Sequence, residues 1–242
     1  MLGCWLLAGA AQGEAAEAMK PTLPDADYVR TIEPSVKLLQ DALGGEVTRR
    51  SADKARLAML MLAEFAQQNL SGPDGAQRAT VRDAALEIAL LVKNKKYAEA
   101  VQQAKTLPKL PASQQTKKEK VKLLGPQLDV EELMGQFRSP DKGGLGIEDL
   151  LDKLAGAEDG QVPAAALNDD LRLLAYRTAV AAEVCREHRP PEKAPLWREL
   201  SEEMGRQASK LAEAVPAKDG KSAFQAVKKL HSSCKDCHRE FR

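Results

Sequence analysis

The sequence predicts an all-α protein, and three observations carry that expectation. Aromatic residues make up only 4% of the 242 residues and β-branched residues are few, so the side chains that favour strands are scarce. Ala, Leu, Glu, Lys, Gln and Arg dominate instead, the residues that lose least on entering a helix. Apolar residues also recur at the spacing of one helix face, as at Leu196, Leu200, Met204, Ala208, Leu211 and Val215. The 36 Lys and Arg balance 35 Asp and Glu, so no field for nucleic acid or for a strongly charged partner is implied.

Taken in order, the chain opens with the short apolar run Met1 to Ala11, followed by small residues. This resembles the tail of a secretory signal, without the basic residues that usually precede it. Ala8-Gly9-Ala10 and Ala16-Glu17-Ala18 are alternative cleavage sites, and residues 1–18 are assigned to the signal. The run is too short to span a bilayer, so the mature protein is expected in the periplasm without a transmembrane anchor. Cys4 would leave with the signal, lipid attachment there being the alternative. Cys185 then stands alone beside Cys234 and Cys237, and no disulfide framework is expected.

Two stretches read as copies of one helical unit, 34–107 and 130–241. The first presents Ala63-Glu64-Phe65, a Ser-Gly-Pro turn, Val81-Arg82 opening a helix, then Tyr97-Ala98-Glu99-Ala100-Val101 and Leu107. The second presents Ala182-Glu183-Val184, the Pro190-Pro191 turn, Trp197-Arg198, then Phe224-Gln225-Ala226-Val227 and Leu230. Between them, 108–127 carries spaced prolines and a lysine run, and reads as a surface linker with a solvated lysine face. Within 128–242 four helices are expected. The first, from Val130 to Phe137, is broken at Gly143-Gly144 and resumes from Ile147 to Leu154. The second is capped by Asn168 and stopped by Pro190-Pro191. The third has Pro195 in its first turn, and the fourth follows Asp219-Gly220.

That fourth helix carries Phe224, Val227, His231, Cys234, His238 and Phe241 along one stripe, and it contains Cys234-Lys235-Asp236-Cys237-His238. C-x-x-C-H is the attachment signature of c-type haem. Two thiols three residues apart share a helix face and can form thioethers to one porphyrin, while His238 supplies an imidazole to the iron. A redox dithiol or half of a zinc site is the plainer reading of a bare C-x-x-C. The sharpest rival is a Cys₃His zinc site made with Cys185 and His188, although structural zinc ligands favour turns and zinc gives no reason for His238 to follow Cys237 directly. His188 otherwise reads as a solvated helix end, and Cys185 as a small buried hydrophobe. His231, two turns before His238, cannot reach the other side of the same iron but can contact a haem edge. No nucleophile elbow, H-E-x-x-H or phosphate loop is present, and no distal acid-base pair for a peroxidase is recognisable. The protein is not expected to be an enzyme.

At Cys234-x-x-Cys237-His238-x-x-Phe241-Arg242 the chain resembles the cytochrome c′ family and its Met-ligated four-helix relatives. Trp197 opening the third helix and the turn Ala217-Lys218-Asp219-Gly220 add to the likeness, which covers about 130–242. The resemblance implies an up-down-up-down four-helix bundle for 128–242, with 34–107 a haem-free helical repeat. It implies one covalent haem c on Cys234 and Cys237, with His238 as proximal ligand. It also implies a sixth iron position that is either vacant beneath an apolar side chain or filled by a methionine of the first helix, here Met134; His188 is a further candidate. A ligated methionine would make a simple electron carrier, working with a redox partner protein. A vacant site would bind a small gas such as NO or CO. A helical scaffold whose first half docks the redox partner is a third reading, and a homodimer stays open.

Overall fold

The computed structural model describes residues 25–109, 119–123, 129–188, 190 and 192–241. The signal segment 1–18, Cys4, most of the 108–127 linker, Pro191 and Arg242 lie outside the described residues. Among those described there is no strand, and nine α-helices form the fold. The all-α expectation holds.

The first half is built from α1 (Asp25–Leu43), α2 (Arg49–Ala66), α3 (Gly75–Lys93) and α4 (Tyr97–Ala104). Helix α1 packs on α2, α2 on α3, and α4 on both α3 and α1. Two boundaries differ from the sequence reading. Helix α1 begins nine residues before Pro34 and carries that proline inside it, forgoing one ladder hydrogen bond. Helix α3 starts at Gly75 rather than at Val81-Arg82, because the turn after Leu70 closes early, with Gly75 N–H donating to Gly72 O at 3.0 Å. A capping box, with Thr48 and Ser51 each accepting from the other's backbone N–H, starts α2.

The second half comprises α5 (Val130–Gly135), α6 (Ile147–Ala155), α7 (Asp169–Glu187), α8 (Ala194–Ala214) and α9 (Gly220–Phe241). Helices α7 and α8 pack side by side, as do α8 and α9, and α6 closes against α9. Helices α5 and α6 together take the place of the first helix of an up-down-up-down bundle. The caps are those the sequence offers: Asn168 Oδ1 accepts from Leu171 N–H at 3.0 Å, and Asp219 Oδ1 from Ser222 N–H at 3.0 Å. The break between α5 and α6 is a tight turn in which Leu145 N–H donates to Gln136 O and Gly146 N–H to Arg138 O, both at 2.8 Å. A Cβ at Gly144 would stand 2.0 Å from Arg138 O, so only glycine closes it.

The two halves share one continuous apolar core. Helix α2 packs on α7 and on α5. Tyr176 donates to Asp27 Oδ2 at 2.8 Å, and Arg172 pairs with the same carboxylate at 2.7 Å, tying α7 to α1. Glu64 and Glu183, which the sequence reading aligns with one another, are both buried, and the Glu183 carboxylate across the α2–α7 seam helps to keep Glu64 protonated. The end of the linker departs from the surface reading. Leu123 is buried, Val121 exchanges two hydrogen bonds with the Gln67 side chain, and Lys120 reaches Glu183 at 2.9 Å. No described helix is long and apolar enough to cross a membrane.

Candidate functional site

Helix α9 runs unbroken from Gly220 to Phe241, so Cys234, Cys237 and His238 sit on its last two turns. The end of α9 is held in place from α8. The Trp197 indole N–H donates to Cys185 O at 2.7 Å, and its ring meets Phe241 edge-on, the centroids 5.1 Å apart. Lys193, just before α8, pairs with Glu240 at 3.0 Å. A buried aromatic that also satisfies a carbonyl fixes two helix ends at once.

Between α5, α6, α7, α8 and α9 lies a cavity of about 390 Å³, within the size range of small-molecule and cofactor pockets. Cys234, Cys237, His238 and Met134 all line it, so all the site residues expected from sequence come together in one place. Phe137, Leu151, Trp197, Leu200, Met204 and Phe241 give it a mainly apolar wall. Cys185 and His231 line it as well. His188 does not; it terminates α7 and lies edge-on to Trp197 at 5.6 Å. The four residues of the zinc alternative are thus not gathered, and among the described residues no group of three or more His, Cys, Asp or Glu is placed to hold a metal ion.

Sequence reasoning missed the acidic side of the site. Helix α6 presents Glu148 and Asp152 one turn apart toward α9. Glu148 Oε1 stands 3.9 Å from His238 Nδ1, and Asp152 Oδ1 is 2.8 Å from His231 Nε2. The signal was there in a weak form, since carboxylates four apart on one helix match imidazoles seven apart on an antiparallel neighbour. Without the register of α6 against α9 it could not be read. Burial raises the thiols: Cys234 is pushed up to about 12, with the nearby Glu148 carboxylate adding to the effect, and Cys185 and Cys237 also rise. The sulfurs are therefore neutral thiols at physiological pH rather than exposed thiolates.

This donor set fits a covalent haem. Two thiols one turn apart, an adjoining imidazole, a thioether from α5 and an apolar surround face a single space, whereas a zinc site would need ligands that converge tightly. Residues 192–242 match the family model described as Cytochrome C′. The matched stretch holds the whole of α8 and α9 and all of C-x-x-C-H, so the C-terminal segment is similar to that of a c-type cytochrome haem protein. No curated protein and no solved structure matches the chain.

Proposed function

We propose that the protein is a periplasmic c-type cytochrome that holds one haem c in this cavity and passes electrons to and from a redox partner protein, without being an enzyme. The observation that carries the reading is that Cys234, Cys237, His238 and Met134 line the same apolar cavity. Cys234 and Cys237 are the thioether anchors, and His238 offers its imidazole to the iron. Glu148, beside His238 Nδ1, orients that ring as carboxylates orient metal-bound histidines elsewhere. Met134 offers a thioether sulfur, the ligand type that favours a high potential. The apolar wall shields these groups from solvent on the cavity side. When bound, the haem supplies a one-electron iron couple.

A second reading, reversible binding of NO or CO at an open sixth position, is favoured by the apolar side chains Val130, Phe137 and Leu151 that α5, the turn after it and α6 bring to the same cavity. Spectra of the purified protein, matured in a host able to attach haem, test both. Acid-acetone should leave the porphyrin on the chain, and the denatured pyridine spectrum should be that of two saturated thioether links. Recovery of zinc in place of iron would overturn the haem reading. A high-spin, five-coordinate spectrum would overturn electron transfer through Met134 ligation and favour gas binding.

A further inference from the structure

Where α1, α2, α7 and the turn after α5 meet, the protein encloses a second, much smaller cavity of about 20 Å³, room for one water-sized occupant. Leu57, Ala58 and Met61 of α2 form its apolar side, and Lys54, Gln136 and Arg177 its polar side. Gln136 is only 1% exposed, and neither its Oε1 nor its Nε2 meets a hydrogen-bond partner on the protein. A buried amide left in that state is costly and calls for an occupant. Among the described residues neither Arg177 nor Lys54 has a carboxylate oxygen within 4.0 Å. Burial draws the Arg177 guanidinium down to about 10, and Asp170, two turns earlier on α7, offsets only part of this. Ser35 Oγ, also on the wall, already donates to Thr31 O at 2.7 Å, so it adds no donor.

We infer that this cavity binds one chloride-sized anion, held by the Gln136 amide N–H and the Arg177 guanidinium, with Lys54 closing it from the outside. A water could satisfy the amide, but it would leave the buried Arg177 guanidinium with no counter-charge beyond Asp170, which lies two turns away along α7. A single monovalent anion satisfies the amide and supplies that counter-charge together, and the amide oxygen can then turn toward Lys54. Sulfate, phosphate and carboxylates are too large for the space. Lys54 also borders the open groove outside, so Gln136 and Arg177 are the fixed ligands. The site sits two residues from Met134, and Gln136 O holds Leu145 N–H at 2.8 Å. A bound anion therefore pins the turn that carries α5 to both α2 and α7. The inference does not depend on haem being bound.

Thermal unfolding of the full-length protein, followed by circular dichroism at fixed ionic strength with chloride or bromide replacing gluconate, tests it. The wild type should show a saturable rise in Tm specific to halide. At a halide concentration a hundred times its Kd, the folded-to-unfolded ratio should rise about a hundredfold. Arg177→Gln should lose that response while unfolding in gluconate at or above the wild-type temperature. Should that variant not fold, Gln136→Leu, which fills the space without an amide, should lose it instead. Bromide-soaked crystals should show one anomalous peak between Gln136 and Arg177. A Tm indifferent to halide identity, or a water alone in the cavity, would overturn the inference.

Discussion

Glu64 is the most heavily perturbed acid at the seam between the halves, and replacing it by Gln should change how stability depends on pH. Its side chain is 5% exposed, accepts from Gln67 Nε2 at 2.6 Å and Gln68 Nε2 at 3.3 Å, and faces Glu183 of α7. Burial first, and the Glu183 carboxylate second, raise it from 4.5 to about 8. Because the folded state then holds a proton that the unfolded state gives up, stability is greatest below about 4.5, falls as pH rises toward about 8, and levels off above. Each pH unit of that gap is worth about 1.4 kcal/mol, a ceiling of ~5 kcal/mol. Water entry and local relaxation around the buried carboxyl should reduce this to about 2 kcal/mol. Glu64→Gln keeps the neutral shape and removes the titration. The longer contact from Gln68 can turn its amide oxygen inward to accept from the new amide. Urea unfolding at pH 5, 7 and 9 should show the wild type losing stability across the series and the variant losing about 2 kcal/mol less. Parallel pH profiles for the two proteins would refute the reasoning.

The remaining predictions concern the haem cavity and its frame. Met134→Ala should convert a low-spin spectrum to high-spin and speed carbon monoxide binding, with His188→Ala nearly silent in both, since His188 is outside the cavity; stopped-flow mixing and optical spectra read the outcome. Gly144→Ala should cost about 2 kcal/mol or more in urea unfolding, because its Cβ would fall 2.0 Å from a backbone oxygen that cannot swing aside; a change below about 0.5 kcal/mol would mean the turn relaxes freely. Iron and protein assays should give one haem per chain, and a fragment covering 25–109, which contains no cysteine, should be helical by circular dichroism yet carry no haem.

Much of this architecture was legible because its signals are local. Asn168 and Asp219 mark helix starts through hydrogen bonds made within four residues, and the proline of α8 does so through its fixed backbone angle. C-x-x-C-H is legible for the same reason, since its chemistry is fixed by spacing on one helix. The parts missed depend on how helices meet. Pro34 reads as a boundary in isolation but is carried inside α1, whose face is buried against α2. Lys120 reads as solvated until Glu183 comes to it from a helix sixty-three positions away. Glu148 and Asp152 look like ordinary first-turn and surface acids until α6 is laid against α9.

The first half also has a structural task that its sequence does not announce. Helix α5 is six residues long, too short to hold its conformation alone, yet it carries Met134 to the cavity. Its support comes from α2. Arg56 pairs with Glu132 of α5, both partly shielded from solvent, and Arg50 donates to Asp141 O at 2.9 Å in the turn that follows. A partly buried pair is weakened by salt less than an exposed one, so these contacts persist where surface pairs fade. In a lone four-helix unit the first helix would be kept in place by its own length along the bundle. Here that length is interrupted by the turn at Gly143-Gly144, and α2 supplies the missing backing. The wall of the cavity that bears Met134 is therefore set by residues of the other half, and loosening α2 should be felt at the haem site before any cavity residue is touched.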